Sequence, residues 1–467
     1  MPLPRFIACI ALCLAARAGT AADCGESRLD AADALNLVEF VERQIVDSHV
    51  GSVSGLVAGV RLGLEDARRI GSRAPRQREL ADTLNRALVP LRDAHLEVRM
   101  LESSAKACRT LPVEFEWNSA GLWVRSGVPR VPTGARVVAI GALSTDDLEV
   151  ALGARIPHET PQWVRAHGAN LLPRIDTLRN LGLVSRDGTI HLRVIGPDGS
   201  RRTERLQAFA RPDGPVAVRP WVGFRIWPER STGHFWFDRF DHDAELVTKF
   251  DEFLAAAARA DVHRIAIDIR GNPGGDSSVA VAMLDALGFD GYSVFTVVPR
   301  PSPVLAATLP MLMPAALNPL LAQAGLPPIP LDAGTYELPP ALVLAELRNR
   351  IAQRPLTQRL PGRQLYLLTD AGTFSSGTLF AVLVRDNHLG RIVGEAAGNS
   401  ASFNGTEYPA ALSGTDYYLN LTTARLLRPD AGAPADASIE PDDPVTATGA
   451  DLAAGRDVQL DFVLDSR

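Results

Sequence analysis

Lysine is almost missing from this chain: of 48 basic residues, only Lys106 and Lys249 are lysines. Any mechanism that needs a lysine therefore has two candidates. A basic excess is missing as well. The 48 basic and 54 acidic residues give a formal net charge of −6, which argues against a general nucleic-acid binder. Cysteine is scarce, at four, and no Cys/His group has the spacing of a zinc site. His158, His167, His191 and His263 stand alone and read as ordinary surface or core histidines. Past the N-terminus no segment has the length and apolar continuity of a membrane span. Apolar residues are not short, at 46% of 467. That excludes a largely disordered chain and, at about 100–200 residues per domain, suggests two to four domains with ample core.

Residues 1–22 read as a secretory signal. Arg5 and the free amine form the positive end, Phe6 to Ala16 the apolar stretch, and Gly19-Thr20-Ala21-Ala22 the small residues before cleavage. Asp23 before Cys24 is wrong for lipid attachment. The expected location is periplasmic or secreted. Cleavage removes Cys9 and Cys13, so Cys24 and Cys108 either form a disulfide in an oxidising compartment or remain two isolated thiols.

Leu35, Val38, Val41 and Ile45, and then Leu80, Leu84 and Leu88, recur at helical intervals up to Pro90, so the region to about Arg99 reads as helical. A β-rich stretch follows, with strands at Pro112–Trp117, Gly121–Val124, Ala135–Ile140 and Ile190–Val194, and an acidic helix start at Thr145. From about Val216 strands and helices alternate, which argues for an α/β unit. Ile265–Ile269 and Leu365–Thr369 are short apolar runs of buried-strand type, each followed by a helix, Val279–Leu287 and Ser376–Arg385. Residues 301–331 carry no charged side chain and are interrupted by proline throughout. They read as an insertion packed on the core, or as an apolar lid or greasy contact surface.

Three segments carry possible chemistry. Asp268-Ile269-Arg270-Gly271-Asn272-Pro273-Gly274-Gly275-Asp276-Ser277 lies between a strand and a helix, where glycines leave N–H groups open to negative charge. No Lys-Ser/Thr follows, so it is not a phosphate loop of Walker type. Thr373-Phe374-Ser375-Ser376-Gly377 occupies a second strand-to-helix turn, which can lift a serine clear of the sheet or merely cap the helix. Asp93-Ala94-His95 supplies an imidazole able to take a serine proton, and in an extended strand the two side chains share a side.

Taken together these segments resemble the S41 peptidases, the family of tail-specific processing proteases and tricorn-like proteases. Asp268 to Gly275 matches that family's signature, and Thr373-Phe374-Ser375-Ser376 with Ile392-Val393-Gly394-Glu395 its nucleophile segment. Ile439-Glu440-Pro441-Asp442 resembles its closing element, with Ser438 in place of glycine, and Asp93-x-His95 an upstream element of the histidine-using branch. The resemblance implies an α/β fold with a crotonase-like spiral core. The expected order is signal 1–22, helical region 23–109, PDZ-like β-rich domain 110–212, S41-type core 213–448 and tail 449–467. It further implies Ser375 as nucleophile and the N–H groups of Gly274, Gly275 and Ser376 as oxyanion donors, with peptide or protein as substrate.

Tail-specific members pair their serine with a lysine, and here Ser400 falls at that position. His95 is then the expected base, with Asp436, Glu440 and Asp93 as candidates for the acid that orients it. Such a Ser-His peptidase needs no metal or organic cofactor. An esterase using the same serine, or a non-catalytic binder of a hydrophobic ligand or peptide, are the alternatives.

Overall fold

The computed structural model describes residues 24–209 and 219–466. The expected leader, with Cys9 and Cys13, lies outside the described residues. Three sheets and surrounding helices make a mixed α/β fold.

The N-terminal periodicity forms helices Ala31–Ser48, Ala58–Gly71 and Gln77–Leu88. Asp30 caps the first of them through the N–H of Asp33, and Leu37, Val38, Val41 and Ile45 bury its inner stripe. The helical pattern stops sooner than expected, because Glu97–Met100 is a strand. Its N–H and C=O groups are taken up by antiparallel pairing with Tyr417–Asn420. Cys24 and Cys108 are joined by a disulfide with their Cα atoms 5.3 Å apart.

A second sheet is antiparallel and contains Glu114–Asn118, Gly121–Ser126, Arg136–Ile140, Thr189–Ile195 and Arg201–Gln207. Ser144 and Asp147 close a reciprocal cap at the start of helix Thr145–Gly153. Helix Pro161–Leu171 follows, capped by Thr160.

The sheet that positions the candidate site has six strands. Their order is Asp443–Pro444, Arg391–Gly394, Gln364–Thr369, Arg264–Asp268, Thr232–Phe237 and Val222–Trp227. All pairings are parallel except the last. Strands of such a sheet are covered on both faces, which explains the unbroken apolar runs seen in the sequence. Ile265, Ala266 and Ile267 are fully buried, as are Leu367 and Leu368. Helices Ala244–Arg259, Ser278–Ala286 and Ser376–Asp386 cover one face, and helix Val458–Asp465 packs Leu460 and Val463 on the other. Arg264–Asp268 and Gln364–Thr369 run side by side in register, Asp268 opposite Leu368. Their carboxyl ends therefore meet, and each opens into a glycine-containing turn, the place where open α/β sheets bind ligands.

In the uncharged segment, Leu317 and Leu321 of helix Pro314–Gln323 pack on Tyr336 and Leu338, while Met311, Leu320 and Leu331 stay exposed. No helix among the described residues is long and apolar enough to cross a membrane.

Candidate active site

Two turns interlock at the strand ends. Asp370 accepts the N–H groups of Gly271 and Gly372, and Thr373 donates its hydroxyl to Ile269 O. The N–H of Phe374 reaches Asn272 O, and Asn272 Nδ2 reaches Phe237 O. With this frame closed on it, Ser375 adopts φ 54°, ψ −120°, a conformation that non-glycine residues rarely hold. A sharp turn of this kind, from strand into helix, exposes a serine hydroxyl at the top of a sheet. The Ser375 side chain makes no helix-cap bond, so the plain capping role does not account for it.

Gly274 lies directly under Ser375. A Cβ there would come within 2.6 Å of Ser375 Cβ and 2.7 Å of Ser376 N. The anion donors need one correction, because the Gly274 N–H is already bonded to Asn272 Oδ1 at 2.9 Å. The N–H groups of Gly275 and Ser376 have no acceptor among the described residues. Two amides, not three, are open to a developing oxyanion. The Asp-Ile-Arg part of the signature does structural work nearby: Arg270 forks onto Asp268 at 2.9 and 2.7 Å and reaches Asp457 at 2.7 Å.

Asp93 and His95 lie in a turn ahead of the strand, so the shared side that an extended stretch would give them does not arise. Asp93 Oδ1 instead accepts the backbone N–H groups of His95 and Leu96, and Oδ2 faces His49 at 2.9 Å and the hydroxyl of Thr422. Asn420 Nδ2 donates to His95 O at 2.8 Å. The imidazole is fully buried and sandwiched between Phe374 and Phe403, its ring centre 4.4 and 5.4 Å from theirs. Phe374 directly precedes Ser375, so the early histidine packs against the residue next to the late serine. Neither ring nitrogen has a hydrogen-bond partner. Burial pushes His95 below its ordinary pKa, against the opposing charges of Glu407 and Asp93. A neutral imidazole at pH 7 can accept a proton.

Of the acids considered for orienting His95, Asp436 is exposed and paired with Arg425, and Glu440 is exposed. Asp93 addresses the backbone of His95 and the ring of His49. The carboxylate nearest the open side of the His95 ring is Glu407, with Oε1 3.5 Å from Nε2. Both lysines lie on helices and pair with glutamates, the exposed Lys106 with Glu102 and the half-buried Lys249 with Glu252. Ser400 is buried and donates to Ser402 O. No lysine stands in for the missing base.

Other residues escaped the sequence reading. Asn399 accepts the Ser375 N–H on Oδ1 at 2.7 Å and donates to Glu159 at 3.1 Å. His167, read as an ordinary histidine, contacts Glu97 at 3.2 Å and stacks on Trp163, which stacks on Phe374. Asp93, His95 and Glu159 have ligand atoms within 4.8 Å of one another. All four of those carboxylate oxygens already accept hydrogen bonds, so we do not identify the group as a metal centre. Burial works to raise the Asp93 pKa, but the bond and charge of His49 outweigh it and hold the carboxyl down at about 2. A cleft of about 250 Å³ opens beside the group, lined among others by Arg92, Glu159, Phe403 and Arg425.

A serine in a strained strand-to-helix turn, two open amides and a buried imidazole packed on the residue before that serine thus gather at these strand ends. Residues 237–445 match the model of peptidase family S41. That stretch, a little under half of the chain, carries the unit of that family, and the chain is a serine-type peptidase. Among solved structures it is similar to mature CPAF complexed with lactacystin, at 14% identity and a TM-score of 0.63, covering 93% of this chain and 97% of that one. The photosystem II D1 C-terminal processing protease aligns at 13% identity and a TM-score of 0.41, covering 88% and 92%. The tricorn protease aligns at 12% and 0.39, covering 93% of this chain and 36% of that one. No curated protein sequence matches the chain.

Proposed function

We propose that the protein is an exported serine peptidase that cleaves peptide bonds through an acyl-enzyme. Its core is read as crotonase-like and its antiparallel unit, residues 110–212, as PDZ-like. The supporting observation is Ser375 held at φ 54°, ψ −120° with the His95 ring against the adjacent Phe374. In the mechanism His95 takes the Ser375 proton as the hydroxyl attacks the peptide carbonyl. The N–H groups of Gly275 and Ser376 receive the oxyanion, and Glu407 orients the imidazole and balances its charge. His95 then protonates the leaving amine, and water releases the acyl group by the same proton path. Export rests on the leader-like residues 1–22, and the periplasm or exterior is the proposed location.

The unpartnered state of both His95 nitrogens supports a second reading, a binder that keeps the fold without catalysis. A serine-reactive phosphonate probe separates the two. Wild type is expected to be labelled and Ser375→Ala not; equal labelling, or none in either, supports the binder. Parallel turnover of peptide and ester substrates decides between peptidase and esterase. Lactacystin, bound by the solved relative, is the first inhibitor to try.

A further inference from the structure

Glu159 belongs to no motif and sits between helices Thr145–Gly153 and Pro161–Leu171, outside the unit that carries Ser375. Its carboxyl nevertheless lies in the seam between serine and histidine. Oε1 accepts the N–H of Ala94, the neighbour of His95, at 3.0 Å. Oε2 accepts Asn399 Nδ2 at 3.1 Å, and Asn399 Oδ1 accepts the Ser375 N–H at 2.7 Å. A line of three hydrogen bonds thus runs from the backbone beside the base to the backbone of the serine. The residues that follow fix Glu159 in place: Thr160 donates to Gly398 O, and Trp163 stacks on Phe374 with ring centres 3.8 Å apart.

We propose that Glu159 is a positioning residue for the Ser375–His95 pair, setting their separation through Asn399 on one side and Ala94 on the other. The antiparallel unit is thereby a working part of the site. This rests on the reading of Ser375 and His95 given above. The charged groups facing Glu159 are Asp93, itself bonded to His49, the His95 ring, and Arg92, whose guanidinium donates to the Glu159 carbonyl at 3.4 Å; Glu407 stands beyond His95. Burial, with the charge of Asp93, pushes Glu159 up to about 8. It is neutral at pH 7, and its ionisation above that places a second anion beside Asp93 and strains the bridge.

The test uses the full chain with Glu159→Ala, Glu159→Gln and Asn399→Ala, followed by phosphonate labelling rate and peptide turnover from about pH 5 to 10. A displacement on the order of 1 Å costs about 10²-fold in rate. Glu159→Ala and Asn399→Ala should each lose on that order in kcat with KM little changed, and the double variant should lose no more than either single. Glu159→Gln, whose amide nitrogen cannot accept one of the two N–H groups, should lose part of the activity at pH 7 and lack the alkaline fall near pH 8 shown by wild type. A merely structural role would lower the thermal midpoint and leave that limb in place. Wild-type kcat in folded Glu159→Ala, or an unchanged limb in Glu159→Gln, overturns the proposal while labelling at Ser375 leaves the peptidase reading standing. Absence of labelling in wild type overturns both.

Discussion

Replacing Gly274 by alanine tests the geometry of the serine turn most directly. Gly274 has φ +100°, and an alanine there carries backbone strain of about 1–3 kcal/mol. The added Cβ would also stand 2.6 Å from Ser375 Cβ, 2.7 Å from Ser376 N and 2.9 Å from Phe374 O. Ordinary carbon contacts need about 3.5–4.0 Å, so the shortfall is about 1 Å. Two of the three atoms are backbone, and no rotamer change relieves them. The Phe374–Ser376 turn must shift, and a shift of about 1 Å predicts a loss of about 10²-fold in kcat and in labelling rate. Gly271 is the control. Its φ is +69°, but no atom lies within 4 Å of the position its Cβ would take. Gly271→Ala should therefore cost about 1–2 kcal/mol of stability and leave catalysis nearly intact. Turnover, labelling rate and thermal midpoint are measured for both variants. Equal activity in the two, with both folded, would falsify the claim that Gly274 sets the serine's position.

Further outcomes follow from the same frame. His95→Ala should abolish labelling, whereas Lys106→Ala and Lys249→Ala should not change it; loss with either lysine variant overturns the base assignment. Glu97 is held at about 2, as Asp93 is: burial works to raise it, but His167 and Arg99 outweigh that. Both depressed carboxyls stabilise the fold above the unfolded value of about 4, and this is lost as pH falls from there toward 2. The thermal midpoint should drop across that window, and less so in Asp93→Asn. Reducing the Cys24–Cys108 bond, or Cys24→Ser, should cost about 2–5 kcal/mol, because the bond closes a loop across a separation of 84 residues. An unchanged denaturant midpoint would refute that.

Much of the parallel sheet was legible because a strand covered on both faces reads as an unbroken apolar run. Ile265–Ile269 and Leu365–Thr369 were expected, and Arg264–Asp268 and Gln364–Thr369 are found. The helices after them, Ser278–Ala286 and Ser376–Asp386, lie within a residue of their expected starts and ends. The engagement of the Gly274 N–H had a signal that was overlooked: an asparagine two residues ahead commonly bonds a backbone N–H in this way. Glu159 and Asn399 had none. Their roles arise where two units pack, and nothing local in Pro157-His158-Glu159-Thr160 or Gly398-Asn399-Ser400 encodes a neighbour more than two hundred positions away. Glu407 was hidden for the same reason. It lies on strand Phe403–Ala411 and meets His95 only through sheet pairing to Tyr417–Leu427. Asp93 and His95 would share a side only in an extended strand, and they are not in one. The observed turn is set by Asp93 folding back on the two amides that follow it.

The pairing of Glu97–Met100 with Tyr417–Asn420 bears on when the molecule comes to life during its own manufacture. The segment carrying the imidazole leaves the ribosome early, but the strand that seats it is among the last pieces made. A half-finished copy holds all the parts of the base loop and nothing to dock it on. Truncation before Tyr417 should therefore give a chain that lacks the seat of its imidazole loop and turns over no peptide.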